Sequence, residues 1–317
     1  MQKRKLGKTD LELSVVGLGT WAMGDDFFGK VDDKQSIKAI QASIDSGVNL
    51  IDTAPAYGAG HSEEVVGKAI KGRREELIVA TKVGIIRTPS DFERNLKPES
   101  IRKEIDDSLS RLGVDMIDLY QIHWPDPDTP LEDSLEELVK IRDAGKYRYL
   151  GVSNFDPKLM DQAREQAGIV SLQPQYSLLV RDAEEELLPY CLKHDLGVLS
   201  YGTLAGGLLT GKFTEIPELP EKDNRDKFYQ FFQEPEWSAV QGLLKEIRAI
   251  ADEHGVTPAQ VSSRWAIQQA GITTVLVGAK NADQAAANAK AGEFELEEHD
   301  LSRIEEAYRR TVATVRS

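Results

Sequence analysis

The sequence predicts an α/β protein, a (β/α)8 barrel of parallel strands with surrounding helices. Short, β-rich apolar runs alternate along the chain with segments whose apolar residues recur at helical spacing. Strand followed by helix, many times over, favours parallel strands joined by helical crossovers. The length of 317 residues suits eight such units, so we expect one domain that spans residues 1–317.

The candidate strands and helices carry this prediction. Strands are expected near Val15, Leu50, Val79, Leu119, Leu150, Ser171, Val198 and Val275. Helical spacing is clearest in two sets, Ile37, Ile40 and Ile44, and Ile101, Ile105 and Leu109. The rival fold is a doubly wound sheet, which typically has a glycine-rich turn after its first strand. Gly17 and Gly19 give only Gly-x-Gly, and Trp21 would obstruct a pyrophosphate, so the barrel is favoured.

Several residues punctuate the predicted helices. Thr129 and Asp156 each precede a proline, which predicts a capping side chain before the first helical turn. Gly47, Gly113 and Gly145 stand where helices are expected to end in a left-handed residue.

The segment 205–236 breaks the alternation after the seventh predicted strand. It contains Gly206-Gly207 and a charged, aromatic tract from Lys222 to Phe232. A long loop at the C-terminal end of a barrel strand is usually functional, and we expect a lid. Residues 237–254 then predict an extra amphipathic helix, and further helices follow toward the C-terminus.

Composition narrows the function classes. A formal net charge of −14 disfavours nucleic acid and anionic membranes as partners. The one cysteine, Cys191, excludes an internal disulfide, and its apolar neighbours predict a buried helical thiol. No apolar run is long enough for a membrane span, and charge interrupts the N-terminus before a signal peptide develops, so we expect a cytoplasmic protein.

Four polar residues fall where predicted strands end. Asp52 ends the second strand, Lys82 the third and His123 the fourth, and Tyr57 lies in the loop after Asp52. Because (β/α)8 enzymes form their active sites at the C-terminal ends of the strands, we expect these four side chains to meet. They are called the quartet below.

The quartet suits the reduction of a carbonyl by hydride transfer, which needs a proton for the developing alkoxide. Tyrosine has a pKa of about 10, so Tyr57 needs a neighbour to act as an acid. The ammonium of Lys82 favours the phenolate, and Asp52 keeps the lysine charged. His123 can then hold the carbonyl oxygen. Taken singly, each residue also fits a structural role, as a cap, a solvent-reaching lysine, a loop histidine or a packing aromatic.

The motifs around the quartet resemble those of the aldo-keto reductase superfamily, in particular its bacterial, general-stress-protein-like oxidoreductase branch. The resemblance rests on DTAPAYGAGHSE at 52–63, ATK at 80–82, QIHW at 121–124, GVSNF at 151–155 and LLTGK at 208–212. It covers nearly the whole chain. It implies a reductase in which Tyr57 is the general acid, Lys82 and Asp52 tune it, and His123 orients the substrate.

The resemblance also implies a nicotinamide cofactor and its contacts. Ser153, Asn154 and Gln173 match side chains that bind the carboxamide, and Tyr201 matches an aromatic stacked on the nicotinamide ring. The other implied cofactor contacts are Gly19, Thr20, Trp21, Asp52, Gly202, Thr203, Leu204, Lys212, Gly278, Lys280, Gln284 and Asn288.

The choice between NADPH and NADH depends on the last of these segments. Lys280 is the candidate for the 2′-phosphate, at the start of the last barrel helix, where N–H groups favour phosphate. The family often has arginine at Lys280 or at Gln284, and arginine grips phosphate with a planar fork. We therefore expect NADPH, with NADH use left open.

The substrate pocket is expected to be formed by Trp21, Tyr57, His123 and Trp124, with Met23, Phe27 and Phe28 as further candidates. Small aldehydes, ketones and sugar-derived carbonyls all fit, and no metal is implied. We expect a monomer or a weak homo-oligomer.

Two other functions stay open at this stage. Some members of the family are nucleotide-binding accessory subunits of ion channels that retain the quartet. Against that role, the first predicted strand lies within about 15 residues of Met1, which leaves little room for a regulatory arm. The other alternative is a Schiff-base enzyme that uses Lys82, although this gives no reason for Tyr57 and Asp52 beside it.

Overall fold

The structure, a computed structural model, describes residues 1–24, 27–88, 91–221 and 223–316. Its strands are β1 (Lys3–Lys5), β2 (Glu12–Ser14), β3 (Val16–Gly19), β4 (Leu50–Asp52), β5 (Ile78–Val83), β6 (Ile85–Arg87), β7 (Phe92–Arg94), β8 (Ile117–Ile122), β9 (Tyr147–Ser153), β10 (Ser171–Gln173), β11 (Gly197–Ser200) and β12 (Ile272–Gly278). Eight of them form a closed barrel in the order β3-β4-β5-β8-β9-β10-β11-β12, and every neighbouring pair is parallel.

Helices follow the barrel strands in the order that the sequence predicts. They are α1 (Asp33–Asp45), α2 (His61–Ile70), α3 (Pro98–Leu112), α4 (Leu131–Asp143), α5 (Pro157–Ala167), α6 (Leu187–His194), α7 (Arg225–Phe228), α8 (Glu236–His254), α9 (Pro258–Ile267), α10 (Ala282–Ala289), α11 (Glu298–Arg310) and α12 (Val312–Arg316). The (β/α)8 prediction is therefore confirmed. Each of the eight predicted strand positions lies in a barrel strand or directly before one, and α8 is the predicted extra helix.

The prediction that a side chain before a proline caps the following helix is confirmed for Asp156 and wrong for Thr129. The Asp156 carboxylate accepts a hydrogen bond from the N–H of Leu159 and caps α5. Thr129 does not cap α4, because the helix begins one residue later, with Pro130 at the N-cap. The Thr129 hydroxyl donates instead to Asp126 at 2.7 Å. The sequences Thr129-Pro130 and Asp156-Pro157 are similar, but the hydroxyl of Thr129 bonds to the Asp126 carboxylate instead of capping the helix.

The N-terminal end of the barrel is closed by apolar side chains. The antiparallel pair β1–β2 brings Leu6, Leu11 and Leu13 against inward-facing residues of the barrel. Gly197 makes room for this plug, because a Cβ atom there would lie 2.2 Å from the Cδ1 atom of Leu6. Residues on the outer faces of the strands form a second core with the helices. A filled N-terminal end leaves the C-terminal end of the barrel as the open one.

The long segment after β11 lies at this open end. It contains 3-10 turns, α7 and a pair of left-handed glycines, Gly206 (φ 66°) and Gly207 (φ 94°). A side chain at Gly206 would also collide with the ring of Tyr229, since a Cβ atom would lie 2.9 Å from it. Lys222, which begins the charged, aromatic tract, lies outside the described residues. Among the described helices, none has the length and apolar content to cross a membrane.

Candidate active site

The alternation of side chains along the barrel strands places polar groups at the open end. In β4, Leu50 packs inside the barrel against the apolar plug, and Asp52 follows two residues later. In β5, Ala80 precedes Lys82 in the same way. Because side chains two residues apart lie on the same face of a strand, both polar residues point into the barrel. The next inward layer above the apolar core is therefore charged.

The quartet meets in this layer. The Nζ atom of Lys82 donates to Oδ1 of Asp52 at 2.6 Å, to the backbone oxygen of Thr53 at 2.9 Å and to the hydroxyl oxygen of Tyr57 at 3.2 Å. The ring of His123 stands edge-on to Tyr57, with 5.8 Å between ring centroids. Lys82 is fully buried and Asp52 is 2% exposed. All four residues that the sequence singled out thus lie within one cluster.

The electrostatics of the cluster assign charge states to two of its members. Burial lowers the pKa of Lys82, but its interactions with Asp52 and Tyr57 outweigh burial, so the pKa lies above its usual value and the amine is protonated. Burial, and then the charge of Lys82, hold the pKa of His123 well below its usual value. The imidazole is therefore neutral at physiological pH and offers an N–H donor. A Schiff-base lysine needs a neutral amine, which a raised pKa disfavours.

A second hydrogen-bond network, formed by hydroxyl groups, holds the backbone of Asp52 in place. The Ser62 hydroxyl, in the first turn of α2, lies 3.0 Å from the hydroxyl of Thr53 and 2.8 Å from that of Thr20. Thr20 donates in turn to the backbone oxygen of Asp52 at 2.9 Å. These hydroxyls tie the ends of β3 and β4 to α2. Thr20, a predicted cofactor contact, is fully buried here and supports Asp52.

A groove of about 420 Å³ runs from the quartet across the open end, a size typical of small-molecule and cofactor sites. Its lining includes these predicted cofactor residues: Gly19, Trp21, Asp52, Gln173, Tyr201, Gly202, Thr203, Leu204, Lys212, Gly278, Lys280, Gln284 and Asn288. Tyr57 also lines it. Thr20, Ser153 and Asn154 do not line it.

The far end of the groove is rich in positive charge. Lys212, Arg225 and Lys280 lie close enough that burial, followed by the charge of Arg225, lowers the pKa of both lysines. One carboxylate, Asp223, forms a two-point ion pair with Arg225 at 2.8 and 2.6 Å. Three cations that repel one another around a single carboxylate favour a bound anion. This end therefore fits a pyrophosphate or a nucleotide phosphate.

The predicted nicotinamide contacts are linked to one another at the other end. Ser153 donates to the backbone oxygen of Gln173 at 2.7 Å. Asn154, in a left-handed conformation (φ 60°), donates to the backbone oxygen of His123 at 3.0 Å and accepts from the Tyr201 hydroxyl at 2.9 Å. These contacts hold the ends of β8, β9 and β11 in register around the groove.

Two loops meet over the groove. Phe28, from the loop after β3, pairs as an isolated antiparallel bridge with Asp223, from the segment after β11. The ammonium of Lys280 donates to the backbone oxygen of Phe28 at 2.7 Å. The segment after β11 and the loop after β3 therefore line the groove together. That the segment acts as a lid stays a prediction.

The candidate substrate pocket is aromatic. The Trp21 ring is stacked on Phe27 at 4.4 Å and on Tyr57 at 6.0 Å between centroids, and Phe28 and Phe228 contact it edge-on. Met23, which the sequence offered as a further wall, is buried in the protein core instead. Trp124 carries the Arg94 guanidinium over its ring at 5.0 Å.

Sequence reasoning missed two residues of the site. Gln121 donates to Oδ2 of Asp52 at 3.1 Å, and the spacing of two residues between Gln121 and His123 was the signal that both face inward. Arg225 stands in the cationic end of the groove. Its position in an irregular segment gave no periodicity from which to predict its orientation.

A group with metal-ligand atoms lies elsewhere, on α8 and α11. Glu253, His299 and Asp300 bring ligand atoms within 4.8 Å of one another. The Arg303 guanidinium already donates to both carboxylate oxygens of Glu253, at 2.6 and 2.9 Å. Glu253 is far in sequence from the adjacent pair His299 and Asp300, which is why no ligand spacing predicted the group. That the catalytic site itself uses no metal stays a prediction.

Several known proteins are similar to this chain over nearly its whole length. The aldo-keto reductase YhdN of Bacillus subtilis is 39% identical over 316 residues, which are 99% of this chain and 95% of that protein. A protein of Escherichia coli described as an NADH-specific methylglyoxal reductase is 35% identical, over 96% of this chain and 98% of its own. A probable voltage-gated potassium channel subunit beta of Arabidopsis thaliana is 31% identical, over 92% and 91%.

Solved structures show the same architecture. The glycerol dehydrogenase AKR11B4 from Gluconobacter oxydans superposes with a TM-score of 0.89 at 38% identity, over 98% of this chain and 96% of that one. The sequence model of the Aldo/keto reductase family matches residues 15–309. The chain therefore belongs to the aldo/keto reductase family and is an NAD(P)H-dependent oxidoreductase that acts on carbonyl and alcohol groups.

Proposed function

We propose that the protein reduces small, uncharged aldehydes or ketones with NADPH, with Tyr57 as the proton donor. The observation that carries this proposal is the 3.2 Å contact between the Tyr57 hydroxyl and a buried, protonated Lys82 at one end of a groove whose other end is cationic. A bound nicotinamide would supply the hydride to the carbonyl carbon. The remaining tasks belong to side chains of the chain itself.

Those tasks follow from the geometry of the quartet. Tyr57 gives its proton to the carbonyl oxygen as negative charge develops there, and its phenolate is then stabilised by the hydrogen bond from Lys82. Asp52 holds Lys82 protonated and in place. His123, being neutral, donates its N–H to the same carbonyl oxygen and so fixes the substrate beside Tyr57.

The groove residues would hold the cofactor. Gln173 and Tyr201 line its end near the quartet, where the nicotinamide is needed, and Lys212, Arg225 and Lys280 line the phosphate end. Lys280 is the proposed 2′-phosphate contact. Since a methylglyoxal reductase similar to this chain is described as NADH-specific, the preference for NADPH must be measured.

The test of the activity is NADPH consumption by wild-type protein with a panel of aldehydes, ketones and sugars. Tyr57→Phe should reduce kcat at least tenfold, equivalent to about 1.4 kcal/mol of barrier, and leave the NADPH dissociation constant nearly unchanged. Tyr190→Phe is the matched control, because this tyrosine lies on α6 and bonds Asp161 at the surface. A Tyr57→Phe enzyme that keeps more than a tenth of kcat rejects the proposed acid.

The test of cofactor choice is Lys280→Ala. This change should weaken NADPH binding and spare NADH, because only NADPH carries the 2′-phosphate. Equal losses for both nucleotides would remove Lys280 from the phosphate site.

The alternative is a nucleotide-binding accessory subunit of a channel-type complex. The similarity to a probable channel subunit favours keeping it in view. Turnover that is negligible with every carbonyl, together with a stable complex with a membrane protein, would decide for this alternative. With a net charge of −14, we expect no nucleic acid partner, and we propose a monomer or a weak homo-oligomer.

A further inference from the structure

Gln121 is a fully buried amide inside the catalytic layer. Its Nε2 atom donates to Oδ2 of Asp52 at 3.1 Å, and its Oε1 atom accepts from Nε2 of Gln173 at 3.2 Å. The Nε2 atom of Gln173 also donates to Oδ2 of Asp52, at 2.9 Å. One oxygen of Asp52 is thus held by Lys82 and the other by two amides.

A glycine on the neighbouring barrel strand leaves space for the side chain of Gln121. Its partner across the ladder is Gly151 on β9. A Cβ atom at Gly151 would lie 3.1 Å from Cγ of Gln121 and 2.5 Å from the hydroxyl of Ser171. Any larger residue at Gly151 would therefore press on the side chain that reaches Asp52.

A carboxylate that is 2% exposed needs donors on both oxygens, because a buried ion pair is stable only when its remaining lone pairs are satisfied. The two amides on Oδ2 are not equivalent. Gln173 lines the groove, whereas Gln121 does not. In the proposed function Gln173 also serves the cofactor, so Gln121 is the donor that is independent of cofactor binding.

We propose that Gln121 is a positioning residue that holds the carboxylate of Asp52 directed at Lys82, and so sets the strength of Tyr57 as an acid. This inference rests on the proposed function. The titratable groups of the catalytic layer around Gln121 come from two strands and three loops: Asp52 from β4, Lys82 from β5, and Tyr57, His123 and Tyr201 from the loops after β4, β8 and β11. If Gln121 stops donating, the charge of Asp52 is less compensated and opposes the phenolate of Tyr57.

Two substitutions should shift the pH dependence of reduction in opposite directions. Gln121→Met keeps the volume but removes the donor, so kcat should fall about tenfold, the value of one charge-assisted hydrogen bond, and the alkaline limb should move to higher pH. Gln121→Glu can donate to Asp52 only when protonated, since two adjacent carboxyl groups share a proton. At acid pH the kcat of Gln121→Glu should approach the wild-type value. As the pH rises, this kcat should begin to fall at a lower pH than the wild-type kcat does.

The NADPH dissociation constant should change less than about twofold in both variants. Gln241→Met, on α8 and outside the groove, is the matched control and should behave as wild type. Circular dichroism reports folding, and should Gln121→Met fail to fold, Gln121→Glu carries the test. Wild-type pH limbs in the folded Gln121 variants overturn this inference, and so does a kcat of folded Gln121→Met within twofold of wild type. Tyr57→Phe is measured alongside to distinguish a failure of this inference from a failure of the proposed function. An active Tyr57→Phe enzyme overturns the proposed function itself.

Discussion

The buried ion pair of Lys82 and Asp52 predicts a strong coupling in stability. The two side chains are 0% and 3% exposed and their charged atoms lie 2.6 Å apart. Removal of one partner from such a pair costs about 3–5 kcal/mol, because the other charge is left buried without compensation. Lys82→Met and Asp52→Asn should each reduce the free energy of unfolding by about this amount.

The double variant separates charge compensation from packing. Replacement of a buried pair by neutral groups of similar volume is often nearly neutral, so Lys82→Met with Asp52→Asn should lose less than either single variant. The hydrogen bonds from Lys82 to Thr53 and Tyr57 are lost in any case, which sets a residual cost of about 1–2 kcal/mol.

Urea unfolding of the four proteins, followed by circular dichroism, measures these energies. The coupling energy is the difference between the double variant and the sum of the single variants. Losses that simply add, or single losses below about 1 kcal/mol, would refute the assignment of a buried, mutually dependent pair.

Three further predictions concern the groove and two titrating groups. Arg225→Met should raise the NADPH dissociation constant about tenfold and weaken its dependence on salt. Arg248→Met is the control, because Arg248 lies on α8 and donates to the backbone oxygen of Gly211, and it should change neither quantity. Fluorescence titration with NADPH measures both. Because the pKa of His123 is depressed by burial and then by Lys82, the unfolded chain binds the extra proton below about pH 6.5, so wild type should lose more stability than His123→Gln as the pH falls through that value. Burial raises the pKa of Glu104 to about 7, so Glu104→Gln should be stabilising above pH 7, with the gain declining toward pH 4.5; the midpoint of urea unfolding against pH measures both effects.

Most of the fold was predictable because its signals are local. The strands are short apolar runs, and Asp52, Lys82 and His123 stand at or next to the C-terminal ends of three of them, which located these residues from the sequence alone. Once the family motifs placed the strands in order, closure of the barrel brought the quartet together. Thr129 shows the limit of local signals, since its hydroxyl bonds to Asp126 and does not cap α4.

Residues that depend on packing across strands were not predictable in the same way. The role of Gln121 arises from the proximity of β4, β8 and β10, and Gly151 matters only because a side chain there would press on it. Arg225 and Asp223 belong to a segment without periodicity, so nothing in the sequence set their orientation. The hydroxyls of Thr20 and Ser153 donate to backbone oxygens of the protein, and that these residues contact a cofactor stays a prediction.

The pH dependence of single-turnover NADPH oxidation tests the central claim most directly. In the wild type, we expect the rate of reduction to fall on the alkaline side as the proton donor ionises. In Tyr57→Phe, we expect a rate that is at least tenfold lower and a pH profile without that alkaline limb. The same limb in Tyr57→Phe, whatever the absolute rate, would mean that the proton comes from another group.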